Sequence, residues 1–209
     1  MRLTLIRHGD AHAGFHGPIS GPVGCRGLTD LGRQQAGLLR ERLSSDDLSD
    51  RIIVVSELPR AIETAELAIR GSAAPTPTRD CDLCELHTGE ADGTPWEDYG
   101  ENFGSFDMMQ EPDRPFAPGG DSWNGFHERV TSFMHRTVRD HAGQEVLAFT
   151  SAGVIAASLR IHFGNARADF PRLTPMNTSL TVWTHDPSHG WTLVTYNDDQ
   201  HLQAPTTSR

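Results

Sequence analysis

A histidine beside an arginine stands at the end of the first apolar segment of the chain. Residues 3–6 (LTLI) predict a buried strand, and Arg7 and His8 follow it directly. A neutral histidine nitrogen can attack phosphorus, and an arginine can hold the phosphate oxygens during the transfer. Gly9 would let the backbone approach the anion closely. These residue types in this order are suited to phosphoryl transfer.

Polar residues also follow two later apolar runs. Residues 52–55 (IIVV) predict a second strand, and Arg60 comes after it on the first turn of a predicted helix. Residues 146–150 predict a third strand, which leads into Ser151. In an open sheet of parallel strands, ligands bind beyond the carboxyl ends of the strands. We therefore expect Arg60 and Ser151 to lie near His8.

The elements that must position these residues alternate along the chain. Strands are predicted over residues 3–6, 52–55, 146–150, 180–184 and 192–196, and helices over residues 29–43, 58–70, 121–141 and 151–163. This alternation favours an α/β fold with three αβα layers, in which a mostly parallel central sheet carries helices on both faces. Residues 1–209 are expected to form one domain, with a lid-like insertion at about 81–120, where periodicity is weak.

Charge and composition exclude several classes of partner. All 18 basic residues are arginine and the formal net charge is −10, whereas nucleic acid or an anionic membrane requires a basic face. No stretch approaches the length of a membrane span, and residues 1–6 resemble a strand rather than a secretory signal. The three cysteines exclude a complete disulfide framework. A cytoplasmic protein is expected; its oligomeric state stays open, with a dimer possible.

Several segments resemble motifs of the histidine phosphatase (phosphoglycerate mutase-like) superfamily, in that family's order and over about residues 3–202. The family ends its first strand with the Arg-His-Gly tripeptide found here. The other matching segments are residues 28–36 (LTDLGRQQA), 56–65 (SELPRAIETA), 83–90 (LCELHTGE), 119–130 (GGDSWNGFHERV) and 197–202 (NDDQHL). The resemblance implies a phosphomonoester hydrolase that acts on a small phosphorylated metabolite without a metal ion or cofactor.

The resemblance also implies a role for each of four residues. His8 would form a phosphohistidine, and Arg7 and Arg60 would clamp the phosphate. Glu85 would protonate the leaving oxygen and then help water to attack the intermediate, which requires a carboxyl group suited to proton transfer. Two other carboxylates are alternatives for this acid: Glu57 and Glu90.

The end of the third strand departs from the family pattern. The family usually has a histidine there, in an SHGG segment, and Ser151 stands at its position. A serine donates one hydrogen bond but carries no charge, and losing a cation beside an oxyanion lowers the rate. A branch of the family with TSGG at this point resembles the chain, so the serine need not mean inactivity. Other histidines are available to compensate, unless they are solvated loop residues: His12 and His201 above all, then His16 and His87.

The predicted lid argues against a mutase. Mutases carry an asparagine six residues after the nucleophile, where this chain has Gly14, and basic lid residues for a second phosphate. Residues 86–113 contain no arginine or lysine and eight acidic residues. The nearby aromatic residues would shape a leaving-group pocket or simply form the core of the lid: Trp96, Tyr99, Phe103, Phe106 and Trp123.

A Cys-x-x-Cys pair occurs beside the predicted acid. Cys81 and Cys84 are residue types that bind zinc, and His87 and Cys25 are conceivable further ligands. We expect no metal here, because a lone Cys-x-x-Cys pair is weak evidence and Glu85 already has a role in this segment.

Three functions are compatible with the sequence. The first is the phosphomonoester hydrolase. The second is a phosphate-binding pseudo-enzyme with little turnover, in which Ser151 in place of the family's histidine has removed most of the catalytic activity. The third, which the predicted lid disfavours, is a phosphoglycerate-mutase-like phosphomutase.

Overall fold

A computed structural model describes residues 1–12, 17–163 and 172–203. Its strands are β1 (Arg2–Arg7), β2 (Ile52–Val55), β3 (Thr78–Arg79), β4 (Glu145–Thr150), β5 (Leu180–Asp186) and β6 (Gly190–Asp198). Its α-helices are α1 (Asp30–Leu43), α2 (Pro59–Ala68), α3 (Trp96–Phe103), α4 (Trp123–Asp140) and α5 (Ala152–Phe163). Within the described ranges, no helix combines the length and apolar character needed to cross a bilayer.

The six strands form one mixed sheet in the order β3-β2-β4-β1-β5-β6. Neighbours among β1 to β4 run parallel, whereas β5 is antiparallel to β1, and β6 to β5. The predicted α/β class with a mostly parallel sheet is therefore confirmed. Arg7 pairs with Thr150, and Val55 with Phe149. This register brings the carboxyl ends of β1, β2 and β4 side by side.

Successive residues of the central strands point to opposite faces of the sheet, and each face packs against two helices. One core contains Leu3, Leu5, Val146 and Ala148 from the strands with Phe126, Val130, Phe133 and Met134 of α4 and Val154, Ile155 and Leu159 of α5. The other contains Ile6, Ile53, Val55, Leu147 and Phe149 with Leu39 and Leu43 of α1 and Ala61, Ala65 and Ala68 of α2. The expected three layers follow from this alternation.

Local sequence explains where the main helices begin. The Thr29 hydroxyl accepts the backbone N–H of Gly32 at the start of α1, and the Ser122 hydroxyl accepts that of Gly125 at the start of α4. Such caps satisfy N–H groups that have no partner inside the helix. Pro59 occupies the first turn of α2, where its missing N–H costs no hydrogen bond.

Residues 80–122 connect β3 to α4 and form what we call the excursion. It contributes no strand to the sheet and contains α3 and the 3₁₀ turns Cys81–Leu83 and Gly89–Ala91. The Asp92 carboxylate accepts N–H bonds at 2.7 to 2.8 Å from three residues of the loop before α1: Gly21, Val23 and Gly24. The insertion predicted at about 81–120 covers nearly the same residues, and both the insertion and its role as a lid stay predictions.

Candidate active site

His8 lies directly after β1, at the edge where the parallel strands end. Its backbone N–H donates to the Thr150 carbonyl at 2.9 Å. Its Nδ1 lies 2.7 Å from the Gly9 carbonyl oxygen; because a carbonyl only accepts, Nδ1 carries the proton and Nε2 keeps its lone pair. Burial, and then the charges of Arg60 and Arg7, holds the pKa of His8 well below its usual value. At neutral pH His8 is therefore uncharged, and its Nε2 carries a lone pair.

Arg60 faces that nitrogen from the first turn of α2. Its Nε donates to His8 Nε2 at 3.1 Å, and its Nη1 donates to the Ser20 carbonyl at 3.0 Å. The residue is only 3% exposed. The structure thus brings together the two residues that the sequence places at separate strand ends, and it adds a contact with the loop that precedes α1.

Arg7, the last residue of β1, contributes a second guanidinium. Its Nη1 donates to the Pro175 carbonyl, whereas its buried Nε has no hydrogen-bond partner among the described residues. Burial lowers the pKa of Arg7, while the charges of Glu85 and Asp10 act in the opposite direction. Because the usual pKa of arginine lies far above neutrality, Arg7 remains charged. Its unpaired N–H is a donor that an anion can take up.

Glu85 reaches the same place from the excursion. Its Oε2 accepts the Gly153 N–H at 2.9 Å, and its Oε1 accepts the Leu86 N–H at 3.1 Å. A Cβ on Gly153 would lie 1.9 Å from Oε1, so only glycine leaves room for the carboxylate. The alternative acids, Glu57 and Glu90, are exposed and do not line the cavity around His8.

A cavity of about 560 Å³ joins these four side chains. Its polar lining is Arg7, His8, Ser20, Arg60, Glu85 and Thr88, and its apolar lining is Pro18, Ile19, Leu86, Trp96, Met108, Phe116, Trp123 and Ala152. Among these lining residues, the two arginines are the only permanent cations. One end of the cavity therefore suits a single phosphate, and the remainder suits an organic group.

The predicted aromatic residues divide between the two roles considered for them. Trp96 and Trp123 line the cavity, together with Phe116. Tyr99 instead stacks on Phe116 with ring centroids 4.6 Å apart, and Phe103 lies 5.6 Å from Tyr99. The first group shapes the pocket, and the second forms a small core behind it.

Gly9 and Ser151 do not line the cavity. The Gly9 N–H donates to the Thr64 hydroxyl at 3.0 Å, and a Cβ on Gly9 would lie 2.7 Å from the Gly32 carbonyl. The glycine thus permits close packing of the loop after β1 on α1, and the approach of its backbone to an anion stays a prediction. Ser151 is fully buried, and its hydroxyl has no partner in the described part of the chain.

None of the described histidines considered as substitutes for the missing one lines the cavity. His12 is exposed. His201 contacts the Thr178 hydroxyl at 3.0 Å and therefore reaches the site only through another residue. His87 lies in a group with two cysteines, and His16, like Gly14, lies outside the described residues.

The structure adds two residues that sequence reasoning missed. Asn177 donates from Nδ2 to the His8 carbonyl at 3.1 Å, and the Thr178 N–H donates to the Arg7 carbonyl at 3.0 Å. Thr178 has a φ of 57°, which is uncommon for a β-branched residue and costly for it. Both residues hold the backbone of the nucleophile loop, and no periodic pattern marks the segment that carries them.

Beside the cavity, the excursion gathers the Cys-x-x-Cys pair. The ligand atoms of Cys81, Cys84 and His87 lie within 4.8 Å of one another. Cys25, the other conceivable ligand, is not part of this group. The three side chains flank Glu85 in sequence without lining the cavity themselves.

Comparisons with known proteins identify the family to which this fold belongs. The sequence model of the histidine phosphatase superfamily (branch 1) matches residues 3–199. The chain belongs to this superfamily.

Individual relatives carry both mutase-like and phosphatase names. The chain is 28% identical to phosphoglycerate mutase-like protein 4 of Arabidopsis thaliana, over 96% of the chain and 86% of that protein. It is 27% identical to a metal-independent phosphoserine phosphatase of the same plant, over 97% and 83%. The solved structure of the alpha-ribazole phosphatase from Shigella flexneri superposes with a TM-score of 0.81 at 23% identity, over 95% and 97% of the two chains.

Proposed function

We propose that this protein is a phosphomonoester hydrolase that transfers the phosphoryl group of a small metabolite to His8 and then to water. The observation that carries the proposal is the neutral His8 Nε2, which faces Arg60 in a cavity shared with Arg7 and Glu85. Phosphoryl transfer depends mostly on positioning and on stabilising the charge of the equatorial oxygens. The two guanidinium groups supply that charge, so the scheme requires no metal ion or cofactor.

In the first step, the substrate phosphate takes over the Arg60 donor that bonds His8 in the free protein. The unpaired Nε–H of Arg7 provides a further donor. His8 Nε2 then attacks phosphorus, and the bond to the ester oxygen breaks. The Glu85 carboxyl gives its proton to that oxygen, so the alcohol leaves neutral.

In the second step, Glu85 acts in the opposite direction. Its carboxylate accepts a proton from water while the water oxygen attacks the phosphohistidine, and the bond between phosphorus and His8 Nε2 breaks. Inorganic phosphate leaves, and Glu85 again holds the proton for the next cycle. The N–H groups of Gly153 and Leu86 keep the carboxylate oriented through both steps.

The apolar part of the cavity supports a substrate with an organic leaving group that carries little charge. Ile19, Trp96 and Phe116 lie there with Trp123, and no described cation of the lining remains for a second phosphate. This supports a hydrolase over a mutase that binds a bisphosphate. We expect an aromatic or apolar phosphate ester to have a lower KM than a small charged one such as phosphoserine.

A phosphate-release assay over a metabolite panel tests the proposal, with His8→Ala beside the unchanged protein. Loss of the nucleophile should lower turnover at least about a thousandfold. Equal turnover by both proteins would refute a phosphohistidine. No release with any substrate, combined with stabilisation by vanadate, would show the phosphate-binding pseudo-enzyme. Exchange of phosphate between positions without net release would show the mutase.

A further inference from the structure

Three potential metal ligands lie together in the excursion. The Sγ atoms of Cys81 and Cys84 are 3.2 Å apart, and Cys81 Sγ lies 3.2 Å from His87 Nε2. Cys84 is buried, whereas Cys81 and His87 are partly exposed, so the group is reachable from solvent. Two thiols and an imidazole on one short segment form the ligand set that proteins use for zinc.

The surroundings of His87 favour ligation over a chance contact. Its Nδ1 lies 3.3 Å from Asp121 Oδ1, and its backbone N–H donates to Asp121 Oδ2 at 3.0 Å. The carboxylate thus binds the Nδ1 side of the ring and leaves Nε2, the atom that would bind a metal, facing the sulfur atoms. A histidine that binds a metal through one nitrogen usually donates from the other to a carboxylate in this way.

The backbone around the cysteines is also fixed. Arg129 Nη1 donates to the carbonyl oxygens of Cys81 and Cys84 at 2.9 Å each, and its Nη2 donates to Asp121. The Ser56 hydroxyl donates to Cys84 Sγ at 3.3 Å. These contacts orient the side chains before any metal binds, which reduces the ordering that binding requires.

We propose that Cys81, Cys84 and His87 form a zinc-binding site. At zinc–sulfur bonds of about 2.3 Å, tetrahedral geometry separates two sulfur atoms by about 3.8 Å. The present sulfur separation of 3.2 Å needs to widen by only about 0.6 Å to reach it. Binding releases the two thiol protons and leaves the fourth position to water. Soft sulfur ligands exclude magnesium and calcium, which prefer oxygen.

The place of the site gives it a positioning role, and this part of the inference rests on the proposed function. Cys84 precedes Glu85, and His87 follows two residues later. A metal ion bound by residues on both sides of Glu85 would restrict the backbone that carries the Glu85 carboxylate. Zinc would therefore act on the reaction through the position of Glu85, without contact with the phosphate.

Titration of the reduced, metal-free full chain with cobalt(II) tests the site directly. Tetrahedral cobalt bound to thiolates produces a sulfur-to-cobalt charge-transfer absorption in the near ultraviolet and intense visible bands. We expect both to saturate at about one cobalt per chain and to disappear when zinc is added. Zinc at about a hundred times its Kd should also raise Tm by about 5–10 °C.

Variants assign the ligands. Cys84→Ser and His87→Ala should abolish the cobalt absorption, while Cys25→Ser, which removes a cysteine outside the group, should leave it unchanged. Circular dichroism identifies any variant that fails to fold, and the titration of the unchanged protein decides the question by itself. Absence of the absorption while all three thiols remain free would overturn the proposal, as would formation of a Cys81–Cys84 disulfide without metal binding. Because absorption is read without turnover, an inactive protein that binds cobalt refutes only the proposed function.

Discussion

Two regions build the cavity, and they are held by different kinds of hydrogen bond. His8 follows β1, and its backbone is bonded to the Thr150 carbonyl at the end of the neighbouring strand. Glu85 lies in the excursion, which contributes no strand to the sheet and is fastened by charged side chains in addition to backbone hydrogen bonds. Arg129 donates to several carbonyl oxygens there, and Asp92 accepts three N–H groups of the loop before α1.

Because of this difference, the proposed nucleophile, His8, and the proposed acid, Glu85, should be open to separate disturbance. A change in a side chain that fastens the excursion should move Glu85 while His8 stays in place, because the His8 backbone is bonded to the end of β4. Good and poor leaving groups distinguish these effects. A nitrophenolate leaves without a proton, whereas an alkoxide needs one from the acid.

Glu85→Gln should produce the largest effect. The side chain keeps its shape but cannot give a proton, so kcat/KM for an alkyl phosphate should fall about 10²–10⁴-fold. The kcat/KM of p-nitrophenyl phosphate, which reports only the formation of the phosphohistidine, should fall much less. Glu90→Gln, at an exposed carboxylate of the same segment, is the matched control and should change neither rate. Equal losses with both substrates would contradict a role as general acid.

Arg129→Met should loosen the excursion. Its side chain is 12% exposed and pairs with Asp121 at 2.6 Å. Its removal leaves several carbonyl oxygens and a carboxylate without their hydrogen-bond donor. We expect the free energy of unfolding in urea to fall by about 2–3 kcal/mol. Arg139→Met removes an exposed ion pair with Asp140 and should leave the free energy of unfolding almost unchanged, because solvent screens such pairs. Similar losses for both variants would show that Arg129 does not fasten the excursion.

Gly153→Ala tests the contact between the two regions. The added methyl group would meet the Glu85 carboxylate, so kcat for an alkyl phosphate should fall about tenfold or more as the acid is displaced. Gly37→Ala, in α1, adds a methyl group that meets nothing within 4 Å. That change should leave kcat unaltered and raise stability by about 0.5–1 kcal/mol. An unaltered kcat in the Gly153 variant would mean that the carboxylate can act from another position.

The pH dependence of stability should report the burial of His8. Its folded pKa lies well below 6.5, so below that pH the unfolded chain takes up a proton that the folded protein does not. The free energy of unfolding therefore falls as pH drops through this range. In His8→Asn it should fall less steeply, by up to about 1.4 kcal/mol per pH unit. Urea unfolding between pH 7 and 5 measures this, with His189→Asn, at an exposed histidine, as control; equal slopes would contradict it.

The predicted elements were those whose sequence carries a strong periodic or capping signal. The apolar runs of β1, β2 and β4 placed the central strands correctly, and the predicted helix ranges contain α1, α2, α4 and α5. β3 was missed because two exposed residues after a Pro-rich connection carry no pattern. The helix α3 was missed because none of its residues is fully buried and no side chain caps it.

The residues of the candidate site also fall into a group that the sequence predicted and a group that it did not. The strand ends and the family resemblance placed His8, Arg7, Arg60 and Glu85, which the structure brings into one cavity. Asn177 and Thr178 were not predicted, because their contribution is a pair of bonds to backbone carbonyls. Such bonds depend on which distant segment of the chain packs against the loop after β1. Short-range sequence patterns do not encode that packing.

The bond from Arg60 to His8 has a consequence for the protein between reactions. It occupies the lone pair that would otherwise react with any electrophile able to enter the cavity. If the proposed phosphate ester draws the guanidinium away, its binding would expose the nitrogen with which it reacts. The bond should therefore protect His8 from alkylation or acylation in the free protein, and a bound phosphate mimic that leaves Nε2 uncovered should make His8 more sensitive to such reagents.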